Sequence, residues 1–134
     1  MRLVRQVPPA VAVGVGGALG TAARVIVSDV LPTSGRGWPT ATLTVNLVGA
    51  LLLGLLLEGL GRGGPDEGRR RTARLFVGTG FCGGLTTYST FAVEVDLLAR
   101  GDHGGLAAGY AVVSVTLGLL AAAAGIALAA VVRR

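Results

Sequence analysis

The sequence predicts an all-α integral membrane protein, with four transmembrane helices in one domain over residues 1–134, and three observations predict it. Hydrophobic residues make up 51% of the 134 positions and charged residues 14%, with a mean hydropathy of +0.69. A soluble domain carries about 25% charged residues, so roughly half of the usual polar coat is missing. Four charge-free runs, Gln6 to Ala23, Gly37 to Leu57, Leu75 to Val93 and Gly104 to Val132, follow one another along the chain. At about 1.5 Å per residue each can cross about 30 Å of hydrocarbon. The connections, Pro32 to Gly37, Gly61 to Arg74 and Ala99 to Gly104, are short and punctuated by Gly and Pro, which leaves no room for a second domain. Because lipid offers backbone groups no partners, the spans are expected to be helical, over about 7–31, 38–60, 75–98 and 106–132.

The first span follows Arg2 and Arg5 and reaches small residues at Thr21 to Ala23, as a secretory signal does. Arg24 and then Val25 to Leu31 prolong the segment, which therefore reads as a membrane span rather than a cleaved leader. Arg24 is the one formal charge well inside an apolar run. Two readings stand: snorkelling to the interface, or a fixed positive charge that attracts anions.

In the second span, Asn46 lies near the middle, within Ala41-Thr-Leu-Thr-Val-Asn46. Its amide can act as interhelical glue, or its two N–H groups can donate to a small anion.

The third span is the least like an ordinary helix: Gly78-Thr-Gly-Phe-Cys-Gly-Gly-Leu-Thr-Thr-Tyr-Ser-Thr-Phe91. Its glycines permit unusual dihedrals, and the hydroxyl residues after them can satisfy backbone groups released by a break, so a mid-membrane interruption is expected. Freed carbonyls there would make a hard oxygen site for a small cation. The alternative use of the glycines is close packing, since Gly80 and Gly84 are spaced four apart. Beyond the break, Tyr88 and Phe91 are three apart and share a helix face, where electropositive ring edges can contact an anion. Cys82, the single cysteine, cannot close a disulfide within the chain.

On the fourth span Tyr110 and Ser114 are four apart and put two hydroxyls on one face. With 29 charge-free residues, this span must tilt or extend beyond the hydrocarbon.

All twelve cations are arginine, and their placement predicts orientation. With four crossings, Arg2, Arg5, Arg62, Arg69, Arg70, Arg71, Arg74, Arg133 and Arg134 share one side, nine against two (Arg36 and Arg100) on the other. Both termini are therefore expected in the cytoplasm of a multi-pass cell-membrane protein. The Arg69 to Arg71 run reads as a topology signal or anionic-lipid contact, and no nucleic-acid function is expected. The one histidine, His103, lies in a connection, so nucleophilic or histidine acid–base catalysis has no constellation and an enzyme is not expected.

Together these segments resemble the Fluc (CrcB) family of fluoride channels across nearly the whole chain. Gly16-Gly17-Ala-Leu-Gly20-Thr-Ala-Ala-Arg24 is similar to its first-helix motif, and Thr42-Leu-Thr-Val-Asn46-Leu-Val-Gly49 to its second. Gly80-Phe-Cys-Gly-Gly-Leu-Thr-Thr-Tyr-Ser-Thr-Phe91 is similar to its long third-helix signature. The resemblance implies passive fluoride export through an antiparallel, dual-topology dimer with two pathways and a buried structural sodium ion. By position, Gly83 and Thr86 would give backbone carbonyls to sodium, Asn46 would donate to fluoride, and Tyr88 and Phe91 would occupy the two aromatic-box positions. Tyr110 and Ser114 match the polar track of the fourth helix, and Arg24 matches the first-helix arginine. Fluoride is small and strongly hydrated, so a pore must replace its water with donors and ring edges while keeping each site weak enough to leave.

The chain departs from the family pattern in three respects. Tyr88 stands where phenylalanine is usual, adding a hydroxyl to the first box position. Thr21, Val25 and Ala41 replace common residues. The arginine asymmetry favours one orientation, whereas an antiparallel homodimer needs one sequence inserted both ways. The alternative is thus a partner-dependent or non-conducting subunit, paired with a related chain of opposite bias. A small multidrug exporter is a more distant alternative, because its proton coupling needs an embedded carboxylate whereas Glu58 and Glu94 are placed near span ends.

Overall fold

A computed structural model of the chain describes residues 7–31 and 37–132, and every element among them is helical. Helix α1 runs over Pro9–Val30 and α2 over Thr40–Gly61. Proline stands immediately before or at the start of both, where its missing N–H costs no helical bond. Helix α3, Gly68–Ala73, continues without a gap into a π-helical stretch, Arg74–Cys82, and one last α-turn, α4, Gly83–Leu85. After Thr86 and Thr87 the chain resumes as α5, Tyr88–Arg100, and then α6, Gly104–Val132. Three of these helices, α1, α2 and α6, are long and apolar enough to cross a membrane. The stretch expected as the third span, with an interruption, is divided at Thr86–Thr87, and its connection from α2 is partly helical. Residues 32–36, Arg2, Arg5, Arg133 and Arg134 lie outside the described residues, and with them part of the arginine tally.

The exterior is apolar and the interior is made of small residues. Val11, Val15, Leu19, Ile26, Leu119 and Leu128 are exposed, whereas Ala12, Gly16, Gly20, Gly54, Ala107 and Gly125 are buried. This inversion of the soluble pattern follows from a lipid solvent, which gives no advantage to burying large side chains and leaves close backbone packing to join helices.

Two seams show the principle. A Cβ on Gly16 or Gly20 would meet the carbonyl oxygens of Phe76 and Phe81, and one on Gly80 or Gly84 would meet those of Val13 and Gly17. Helix α1 and the π-helical stretch thus touch backbone to backbone through paired glycines four residues apart. In the same way Gly54 lies against Ala122 and Gly125 against Leu51, joining α2 to α6.

Gly78, Gly80 and Gly84 of the third span are therefore packing residues, and the expectation that its glycines supply unusual dihedrals is corrected. Gly78, Gly80, Gly83 and Gly84 all lie inside helical elements. Among the described residues the glycines with positive φ are Gly64 and Gly68, in the loop after α2. The interruption itself exists two residues beyond the last glycine turn. Thr86 (φ −80°, ψ 157°) and Thr87 (φ −148°, ψ 123°) are extended, a conformation that any residue adopts.

Outside the spans, Arg74 Nε donates to Asp66 Oδ2 at 2.8 Å, and this bond holds the Asp66 carboxyl below its usual range. Arg62 and Glu58 pair on the last turn of α2.

Candidate functional site

The break is held open by two side chains that take the N–H groups a continuous helix would use. In an unbroken helix the Thr87 N–H would bond the Gly83 carbonyl, and the Thr90 N–H would bond that of Thr86. Instead Thr87 N–H donates to Asn46 Oδ1 at 2.8 Å, while Asn46 Nδ2 donates back to the Thr87 carbonyl at 3.1 Å. Thr90 N–H donates to Thr87 Oγ1 at 3.2 Å, the N-cap of α5. Thr86 Oγ1 donates to the Cys82 carbonyl at 2.8 Å and closes the turn before the break. Gly49, one turn beyond Asn46, has no side chain where the Thr86 methyl sits. Helix α2 thus clamps the interruption by an amide at one level and by vacant space at the next.

Diverting these two donors has a chemical result. The carbonyls of Gly83 and Thr86 lose their helical partners, and these are the two oxygens that the family resemblance assigns to sodium. Among the described residues no group of three or more His, Cys, Asp or Glu side chains could hold a metal, and the oxygens at the break are backbone carbonyls with hydroxyls beside them. Such oxygens suit a hard cation.

Beside the break lies an open-sided groove of about 570 Å³. Asn46, Gly83, Thr86, Tyr88, Phe91 and Ser114 all line it, so six of the eight residues singled out from sequence are brought together. None of its lining residues is charged. Ser114 Oγ is buried without a hydrogen-bond partner among the described residues, which leaves a hydroxyl donor unused. Of the two Asn46 N–H donors, one is engaged with Thr87 and the other is left over. Both readings of Asn46 from sequence therefore have a place: the amide is glue at one edge and carries a spare donor.

Tyr110 stands behind the groove rather than on its wall. It is 0% exposed, and its ring centroid is 5.3 Å from that of Phe91. Phe91 in turn lies 6.2 Å from Tyr88, whose side of the site is open: Tyr88 is 82% exposed. Arg24 does not line the groove; it is half-buried on α1, without an ion pair among the described residues.

The structure gives a place at the site to four residues, Glu94, Thr42, Thr87 and Trp38, to which the sequence assigned no site role. Glu94 is not on the groove wall but lies on α5 behind it, bonded to two hydroxyls rather than isolated at a span end. Its Oε1 accepts from Thr42 Oγ1 at 2.7 Å and its Oε2 accepts from Tyr110 Oη at 2.8 Å. Trp38 packs edge-on to Tyr110, centroids 5.6 Å apart at 83°, and so extends the aromatic train of Tyr88, Phe91 and Tyr110 towards the start of α2. Thr87 supplies the cap and receives the Asn46 clamp. A signal for Glu94 was available, since it follows Phe91 by three residues and shares its helix face. Thr42 and Trp38 are four apart, but only the tertiary fold shows which partners they meet.

The arrangement is a neutral, half-open path with donors, ring edges and freed carbonyls. Among its lining residues no nucleophile is paired with a base.

A family model described as "CrcB-like protein, Camphor Resistance (CrcB)" matches residues 11–126. The chain is 50% identical over 118 residues to "Fluoride-specific ion channel FluC 2" of Leifsonia xyli subsp. xyli, covering 88% of this chain and 81% of that protein. It is 46% identical over 110 residues to "Fluoride-specific ion channel FluC 1" of Mycolicibacterium paratuberculosis, covering 82% and 81%. Against "Fluoride-specific ion channel FluC" of Deinococcus radiodurans, identity is 47% over 112 residues, covering 82% and 86%.

Proposed function

The chain belongs to the CrcB-like family, a family of ion channels and not of enzymes, and from that premise we propose that it is a fluoride-selective channel which lets fluoride leave the cytoplasm passively. The observation that carries this reading is the uncharged groove at the break, with its unused Ser114 hydroxyl and the spare Asn46 N–H beside the rings of Tyr88 and Phe91. An anion crossing it meets dipoles and ring edges instead of a counter-charge, so it is stabilised without being trapped. Behind the groove, the hydroxyls of Thr42 and Tyr110 are held by Glu94.

The same reading gives Gly83 and Thr86 to a structural sodium ion, which is not transported. The fit is chemical: their carbonyls are the two whose helical donors are diverted to Asn46 and Thr87. When bound, sodium supplies a fixed positive charge at the break. Gly83 is exposed, and a Cβ there would meet nothing within 4 Å, so a second subunit has access to this oxygen.

A four-crossing topology follows if the stretch from Arg74 to Arg100 crosses as one broken span. An antiparallel second subunit then closes the open side of the groove, where Tyr88 is exposed. That subunit is a second copy or a related chain of opposite arginine bias, and the nine-to-two asymmetry favours the latter. A reporter fused to the C-terminus is accordingly expected almost entirely in the cytoplasm; equal signal on both sides of the membrane would remove the case for a heteromeric partner.

Fluoride efflux from liposomes holding the purified protein tests the main reading, with chloride as control. Wild-type protein is expected to release fluoride selectively and Phe91→Ile to lose that release, because an aliphatic side chain has no electropositive edge. Folded protein without efflux would instead support a subunit that conducts only with its partner.

A further inference from the structure

The segment joining α2 to the π-helical stretch carries five arginines, and the structure divides them into two kinds. Arg62 is paired with Glu58 and Arg74 with Asp66. Arg69, Arg70 and Arg71, consecutive on α3, make no ion pair among the described residues. Glu67, at the cap of α3, pairs with none of them, and Arg71 acts on Asp66 only from beyond ion-pair distance. Arg70 lies across the loop where a Cβ on Gly63 would collide with its guanidinium, and its Nη1 is buried with no acceptor among the described residues.

Depth adds an independent constraint. Helix α3 runs unbroken into Leu75-Phe-Val77, where the apolar sequence begins. Arg69, Arg70 and Arg71 precede Leu75 by six, five and four residues, which at helical rise is about 6 to 9 Å. The headgroup layer is about 5 to 8 Å deep on each side of the hydrocarbon. Three guanidinium groups with no ion pair among the described residues, each with a forked donor set that matches phosphate oxygens, therefore lie about one headgroup layer's thickness along the helix from the apolar sequence.

We propose that Arg69, Arg70 and Arg71, which as consecutive helical residues project around α3 rather than towards one point, form a surface that binds the phosphates of anionic phospholipids, with Gly63 left bare so that Arg70 can lie over the loop. The ion pairs of Arg62 and Arg74 hold the two ends of the segment and stand outside this site. An anionic leaflet then favours the side of the membrane that carries this loop, which couples lipid binding to orientation.

The test is independent of ion conduction. Detergent-solubilised protein is titrated with phosphatidylglycerol or phosphatidylcholine, and bound lipid is read by native mass spectrometry for wild type, the R69Q/R70Q/R71Q triple variant and Arg62→Gln. Phosphatidylglycerol is expected to bind wild type and Arg62→Gln alike, and the triple variant at least about tenfold more weakly, since each cation near a headgroup contributes roughly a fivefold factor. Inorganic phosphate at the same concentration is expected to leave binding and melting temperature unchanged. Equal phosphatidylglycerol affinity in wild type and triple variant, or no preference over phosphatidylcholine, overturns the proposal. A phosphate effect equal to that of the lipid overturns its assignment to a lipid in favour of a free anion. Should the triple variant melt below wild type in phosphatidylcholine, Arg69→Gln, which leaves the loop contact of Arg70 in place, carries the comparison with an expected loss of about fivefold, and no loss there overturns the site.

Discussion

Asn46→Ala is expected to destabilise the protein by about 2 to 5 kcal/mol, because it strands both the N–H and the carbonyl of Thr87, each unpaired buried group costing about 1 to 3 kcal/mol. Thr87 is buried, so water does not easily replace the lost amide. A second consequence is geometric. Without Asn46 Oδ1, nothing holds the Thr87 N–H away from the Gly83 carbonyl, and where the two re-pair the break closes from within and the stability loss falls to the lower end of that range. Thermal denaturation in detergent measures the first effect and fluoride efflux the second; both are expected to fall. If sodium occupies the freed carbonyls, protection of wild type by sodium against heat is expected to vanish in the variant. A variant that melts with wild type would show that the break does not depend on the clamp.

Changes at Glu94 are expected to separate structure from transport. Glu94→Ala leaves the Thr42 and Tyr110 hydroxyls without their acceptor, for a loss of about 2 to 4 kcal/mol in stability. Glu94→Gln keeps one carbonyl acceptor, and its amide N–H can donate to a hydroxyl that turns round, so about half that loss or less is expected. Fluoride efflux through Glu94→Gln is expected to stay within the same order of magnitude as wild type, since a passive channel needs no titrating carboxylate. A proton-coupled exporter would lose transport altogether in the same variant. Complete loss of fluoride efflux from well-folded Glu94→Gln would therefore count against passive flow. Efflux and melting temperature measured on one preparation distinguish these outcomes.

The aromatic and polar positions that resemblance singled out converge in space to differing degrees. Asn46, Tyr88, Phe91 and Ser114 face one groove with Gly83 and Thr86. Tyr110 supports that groove from behind through Phe91, and Arg24 lies apart from it. The residue that most changes the chemistry of the site is Glu94. Sequence spacing puts it on the face of Phe91, yet its carboxylate gains meaning only from Thr42, 52 residues away, and Tyr110, 16 residues away.

What the sequence by itself determined is what the bilayer imposes everywhere along the chain: helical segments, their approximate lengths and their apolar surface. These are local properties, because hydrocarbon acts on each residue according to its own polarity and rise. The existence of an interruption near Thr86 was legible for the same reason, since hydroxyl residues at depth need something to satisfy. How that interruption is made was decided only by tertiary structure. The glycines that looked like its cause pack against Val13 and Gly17, and the break is held instead by Asn46, 41 residues from the Thr87 backbone that it clamps. A hydrogen bond over that separation leaves no periodic trace in either segment. It exists because the glycine seam brings the π-helical stretch against α1 while the bare Gly49 lets Thr86 settle on α2, and the polar groups left at that contact have only each other to bond.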